Sequence, residues 1–161
     1  MLQQTIYKMA GKVWIYLSDK ELSTEMKASI AVDCDAFLKE WNAHGNTLTG
    51  SAEILHNRFI VIKIDETGYS ASGCSIDKQV QFIKALEQKY NINLLNRLLV
   101  AYKEGDAVTV KPANEVKRML KEGSLSMDTI YFDAAIVDAQ QFVTSFEIPI
   151  GKSWLAPKDL V

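Results

Sequence analysis

The chain has 161 residues, 48% apolar and 24% charged, which is the composition of a globular protein rather than a disordered one. A formal net charge of -2 gives no electrostatic reason to bind nucleic acid, and no segment approaches the roughly 20 apolar residues that span a bilayer. The length suits one domain with enough chain to bury a core without disulfide staples.

Residues 12–17 are rich in β-branched and aromatic types and predict a strand. Ser18 and Glu21 have the spacing of a capping box, with Leu17 and Leu22 flanking it as a hydrophobic staple. The apolar positions Leu22, Met26, Ile30, Cys34, Phe37 and Trp41 then advance by three or four residues, the signature of an amphipathic helix that Gly45 would end. Residues 48–55 and 58–65 predict two strands joined by a tight turn at His56 and Asn57, because Asn tolerates a left-handed backbone. Residues 59–64 are apolar except at Lys63, as expected of a strand covered on both faces.

A loop containing Gly68 leads to a second helix capped by Ser75, with Ile76, Val80, Ile83, Leu86 or Glu87, and Tyr90 along its inner face. A hairpin follows, 97–103 with 107–110 across Gly105 and Asp106, then a short helix opened by Pro112 and closed near Gly123. Its basic residues Lys117, Arg118 and Lys121 sit among Glu115 and Glu122 and read as a solvated face. Residues 129–132 predict a strand, 138–146 a brief helix, and 147–161 an extended C-terminal tail. The expected class is α+β, a mainly antiparallel sheet with helices packed on it. The leading β-α-β-β-α-β order suggests a ferredoxin-like core with a C-terminal extension, all within a single domain spanning 1–161.

The segment with chemical character is Ser72, Gly73, Cys74, Ser75, Ile76, Asp77, a thiol and two hydroxyls at a helix start. Free N–H groups and the positive end of the helix dipole gather there, which favours an anion or a thiolate. Three readings stand side by side. Ser75 caps the helix and Cys74 is packed; or Ser72, Gly73, Cys74 and Ser75, with Arg58, form a small-anion pocket; or Cys74 is a nucleophile with His56 or His44 as its base. The last is geometrically awkward, since residue 64 ends its strand about 20 Å from the His56 turn at ~3.4 Å per residue.

His56, Asn57 and Arg58 otherwise read as solvent-facing turn chemistry, and His44 as part of a helix exit. Cys34 lies on an apolar stripe and reads as inert core. Asp33, Asp35, Asp65 and Glu66 lack metal-site context, and two cysteines with two histidines show no zinc spacing, so no metal or cofactor is expected. Trp14 and Trp41 read as core, whereas Trp154 in a Pro-flanked tail suggests an interface. Gly151, Lys152 and Ser153 echo the end of a phosphate-binding loop, but Phe146 stands where its first glycine belongs. Cys34 and Cys74 do not form a secreted disulfide framework, and the run 13–17 is too short for a signal-peptide core, which points to the cytoplasm.

Trp41 to Gly45, Ser51 to Phe59, the 72–77 segment, Tyr90, Asn91 and Ile92, and Lys152, Ser153 and Trp154 together give the chain a resemblance to a family of small uncharacterised Bacteroidetes proteins often labelled "ABC transporter ATPase". That label implies Walker and signature motifs that this sequence does not contain, so the resemblance brings no catalytic residue with it. The expectation is a non-enzymatic cytoplasmic module that binds a small anion or a protein partner, without nucleic acid or membrane. The alternative is a thiol-dependent enzyme using Cys74.

Overall fold

Alternation along the first strand sets the layering. β1 (Gly11–Leu17) sends Val13, Ile15 and Leu17 to one face and Trp14 and Tyr16 to the other, and both faces are covered. This computed structural model describes residues 11–43, 46–47, 49–65 and 73–158, with backbone alone for 42, 43, 46, 47 and 74.

α1 (Thr24–Glu40) begins later than the capping-box spacing suggests. Ser23 is its N-cap, with Oγ accepting from the Met26 N–H at 3.2 Å. Ser18 is unavailable for that task, because its N–H still bonds the Arg58 carbonyl at 2.7 Å and its hydroxyl donates to the Lys20 carbonyl at 2.6 Å. The expected apolar face holds: Leu22, Ile30, Cys34 and Trp41 are buried, with Met26 and Phe37 packed beside them. The helix ends at an extended Trp41, and Gly45 lies outside the described residues.

β2 (Asn42–Ala43) and β3 (Asn46–Thr47) form a short pair. β4 (Thr49–Leu55) and β5 (Phe59–Asp65) form the expected hairpin, turning through His56 and Asn57 at φ 54° and 57°. β5 is central in a three-stranded sheet of order β1-β5-β4, and it buries Ile60, Ile62 and Ile64 toward the helices and Phe59 and Val61 away from them. Lys63 is the exception the sequence marks, and it pairs with Glu53 at 2.6 Å. α2 (Gly73–Tyr90) lies beside α1, and it starts before Ser75, which is therefore inside the helix rather than its cap.

The second sheet has the order β7-β6-β8-β9, all antiparallel, from β6 (Leu99–Glu104), β7 (Ala107–Pro112), β8 (Ile130–Phe132) and β9 (Glu147–Pro149). Ala101 and Phe132 face the first sheet, and Val100, Tyr102 and Tyr131 face away. α3 (Ala113–Glu122) covers that outer face with Val116 and Leu120, closed by Gly123 at φ 78°. α4 (Ala139–Ser145), capped by Asp138, drops Phe142 between the sheets, where Phe59, Phe132 and Phe146 meet at 5.1–5.4 Å between ring centroids. Each such buried ring contributes ~1.5–3 kcal/mol.

Two further expectations are corrected. Residues 147–158 are not a loose extended tail: β9 pairs with β8, a 3-10 turn follows at Ile150–Lys152, and Ile150 and Leu155 are buried in the core under α3. The α+β class stands, but the ferredoxin-like sheet does not close. Its first three strands adopt the split β-α-β order, and β6, which would complete it beside β1, belongs to the second sheet. The reason lies after α2. Glu87 accepts the Leu94 and Leu95 N–H groups, and the Asp19 carboxylate holds Asn93, so the chain crosses the end of β1 into the next layer. There β6 buries both its faces. No helix among the described residues is long and apolar enough to cross a membrane.

Candidate functional site

The residues singled out from sequence do not converge. His44 and Ser72 lie outside the described residues, as does the side chain of Cys74. Gly73 is exposed at the start of α2, while Ser75 is buried and its carbonyl accepts the Trp41 indole N–H at 2.7 Å. His56 and Arg58 sit at the other end of the first sheet. The turn there is tied to the start of α1, with Leu22 N–H to the Asn57 carbonyl at 2.7 Å and Lys27 Nζ to Asn57 Oδ1 at 2.6 Å. Trp41, beside Ser75, is at the far end of that 17-residue helix, about 25 Å away. Arg58 donates to the Asp19 carbonyl at 2.9 Å, and His56 Nε2 lies 3.0 Å from Glu147 Oε1 with its ring against Phe132. Arg58 therefore does not join the helix start as an anion ligand, and His56 is not a base for Cys74. Both residues tie elements together rather than face solvent freely.

Gly151, Lys152 and Ser153 are equally committed to structure. The Gly151 N–H bonds the Met127 carbonyl at 2.8 Å, so this stretch offers no phosphate cradle.

One polar residue escaped the sequence reading. Gln79 is fully buried on the inner face of α2, and its Oε1 accepts the hydroxyl of Tyr16. Its Nε2 has no partner among the described residues. Burial pushes the Tyr16 hydroxyl up to about 12, with Arg97 pulling the other way. The positions 75, 79, 83 and 86 are a helical stripe, but two polar members hid it.

Among the described residues, the outer edge of β1 is interrupted in its pairing. The Val13 N–H reaches outward to the Val137 carbonyl at 3.0 Å, and Asp19 N–H reaches outward to the Asn93 carbonyl at 3.1 Å. Strand alternation makes Ile15 and Leu17 the residues between them whose peptide groups also face outward, since Trp14 and Tyr16 pair inward with β5. Among the described residues, those outward groups of Ile15 and Leu17 have no partner. The outward pairing of β1 is thus filled at both ends and vacant in the middle, although Ile15, Tyr16 and Leu17 are themselves buried.

Ile15 and Leu17 also line a cleft of about 90 Å³, together with Leu99, Ala101 and Phe132 of the inter-sheet core and Tyr131 of the outer face. Ala135, Arg97 and Trp154 complete the part of its lining that bears on function. Arg97 is the one charged residue among the described lining residues, and it is exposed with no ion-pair partner among them. Trp154 is 57% exposed, held by a 3.1 Å hydrogen bond from its indole N–H to the Tyr131 hydroxyl and by Lys117 Nζ at 4.7 Å from its ring.

Protein-family models, curated proteins and solved structures give no match to this chain. Function is therefore argued from the site itself. Among the described residues the exposed large apolar side chains are Val32, Leu98, Val137, Val143 and Trp154, and of these Trp154 lines the cleft. Of these residues the sequence had flagged only Trp154. Nothing in a linear pattern marks the rest, because the vacancy arises from a strand that is not there.

Proposed function

We propose that the protein is a non-enzymatic cytoplasmic interaction module that takes up an extended segment of a partner protein along the open stretch of β1. The observation that carries this reading is the interrupted edge pairing at Ile15 and Leu17 beside an apolar cleft. In strand addition, main-chain hydrogen bonds supply affinity and a pocket for alternate side chains supplies selectivity. The unpaired outward groups of Ile15 and Leu17 and the apolar side chains of the cleft support this reading. At about 90 Å³ the cleft is below the ~300–1,000 Å³ of small-molecule sites, and it suits one side chain. Cys34, a free buried thiol, fits a reducing compartment.

The thiol-enzyme reading has less support, since His56 is engaged with Glu147 away from the start of α2. Alkylation of Cys74 against pH tests it separately, and an apparent pKa near the free value of about 8.5 removes it. A small anion at the start of α2 is tested by phosphate, which would raise the melting temperature by linkage if bound there.

The strand-addition reading is tested by selecting ten-residue peptides from a display library. Selected peptides are expected to bind the protein and to lose at least ten-fold in affinity on Ala135→Trp, which fills the cleft from an exposed position. An unchanged melting temperature shows that this variant is folded. Failure to recover binders, or binders indifferent to Ala135→Trp, overturns the reading.

A further inference from the structure

The opposite edge of the first sheet differs from β1 in being exposed. β4 is the last strand of the order β1-β5-β4, and Thr49, Ser51 and Glu53 along it are exposed. Its inward bonds are fixed by the central strand. Ile60 and Ile62 turn their peptide groups toward β1, so Phe59, Val61 and Lys63 bond Leu55, Glu53 and Ser51 of β4. The peptide groups of Gly50, Ala52 and Ile54 therefore point outward, and among the described residues they have no partner. Sheet edges are ordinarily blunted by a bulge, a proline, a lysine or a covering segment. β4 has a continuous register and contains neither Pro nor Lys. Over its helix side runs a groove of about 370 Å³, walled by Ala28 and Ala31 of α1, whose methyl groups leave the approach clear.

We infer that β4 pairs with β4 of a second copy of this chain, antiparallel about a two-fold axis at Ala52, so that the two three-stranded sheets become one. The strand is self-complementary in that register. Gly50 faces the partner's Ile54 and Ala52 faces the partner's Ala52, so the outward groups of both strands find bonded neighbours. Gly50 leaves room on the helix side for the incoming isoleucine. Leu38, whose Cδ2 lies 3.1 Å from where a Cβ at Gly50 would stand, gives that isoleucine an apolar neighbour. On the other face Ser51 stands opposite the partner's Glu53 in the closer, non-hydrogen-bonded pairing, a hydroxyl beside a carboxylate. Glu53 itself is held by Lys63 at 2.6 Å. Neighbouring registers are worse. An axis at Ser51 carries Ile54 past the end of the partner strand, and an axis at Glu53 does the same to Gly50 and sets two carboxylates directly opposite. The second copy uses the edge away from β1, so this inference is independent of the strand-addition reading.

Sedimentation velocity of the full chain from micromolar to millimolar concentration tests the pairing, and a reversible monomer–dimer equilibrium is expected. Ser51→Glu, which brings like charges together across the axis, should weaken the dimer about five-fold at low salt and less at high salt. Ser51→Lys, which meets the partner's Glu53, should weaken nothing. Ser51 is exposed, and an unchanged melting temperature shows that each variant is folded. Oxidation reads the register directly. Directly opposite, hydrogen-bonded strand residues have Cα atoms about 5.5 Å apart, a spacing that suits a disulfide, so Ala52→Cys should give a dimer linked through position 52. Thr49→Cys, whose two copies lie about 20 Å apart along the strands, should not. Mass spectrometry of the linked peptide separates these links from any made by Cys34 or Cys74. A monomer throughout the concentration range overturns the inference. So does a dimer indifferent to Ser51→Glu, one weakened as much by Ser51→Lys, or linkage at position 49 in place of 52.

Discussion

The amide of Val13 donates to the carbonyl of Val137 at 3.0 Å, and the next outward amide along β1, that of Ile15, has no such partner among the described residues. The contrast gives the first prediction. In native-state hydrogen exchange, Ile15 and Leu17 should exchange at least ten-fold faster than Trp14 and Tyr16, whose peptide groups pair with Ile62 and Ile60 of the central strand. Equal protection of Ile15 and Tyr16 would mean that the edge is closed.

Tyr16 and Gln79 form a buried pair in which one amide nitrogen is left over. Tyr16→Phe strands the whole glutamine side chain and should cost about 1–3 kcal/mol; Gln79→Leu strands only the phenol and removes the unpaired nitrogen, so it should cost less. The double variant removes every orphan, and its loss should be smaller than the sum of the singles by about 1 kcal/mol or more. Additive losses in urea unfolding would show that the pair is not coupled.

The tyrosines also set the alkaline limit of stability. Burial raises Tyr16 and Tyr131 from an ordinary 10.0 to about 12 in the folded protein. A raised folded pKa means that the native state holds the proton longer than the unfolded chain does, so this contribution is intact below pH 10 and declines between pH 10 and 12. Each tyrosine should lower stability by up to ~1.4 kcal/mol per pH unit across that window. Tyr131→Phe should flatten the slope by about one proton, read from urea midpoints at each pH. An unchanged slope would place Tyr131 in contact with solvent.

How far the sequence reaches is visible in particular residues. His56 and Asn57 announce their turn because few residues accept a positive φ, and Pro112 and Gly123 bracket α3 for equally local reasons. Ser18 and Glu21 mislead because the box spacing is there but the backbone of Ser18 is still committed to Arg58. Whether β6 completes the first sheet or founds a second is decided by contacts between distant segments, such as Asp19 with Asn93 and Lys12 with Asp138. No local propensity encodes that choice. The candidate site inherits the same difficulty, since Ile15, Arg97, Ala135 and Trp154 become neighbours only once the sheets have separated.

Gly11 offers the sharpest test of the β1–β5 interface that holds the vacancy in place. It pairs with Asp65 at the start of β1, and a Cβ there would sit 1.9 Å from the Ile64 carbonyl oxygen. That atom is backbone of the central strand, so relief requires β1 to move as a unit rather than a side chain to rotate. Gly11→Ala should therefore lower stability by about 1–3 kcal/mol, with weakened protection of Trp14 and Tyr16 as the local sign. Gly73→Ala is the matched control, because a Cβ at the start of α2 meets nothing within 4 Å and alanine suits a helix better by up to ~1 kcal/mol. Opposite shifts in urea midpoint at constant slope are expected from the two variants. A neutral Gly11→Ala would show that β1 can shift on β5, and with it the vacancy at Ile15 and Leu17.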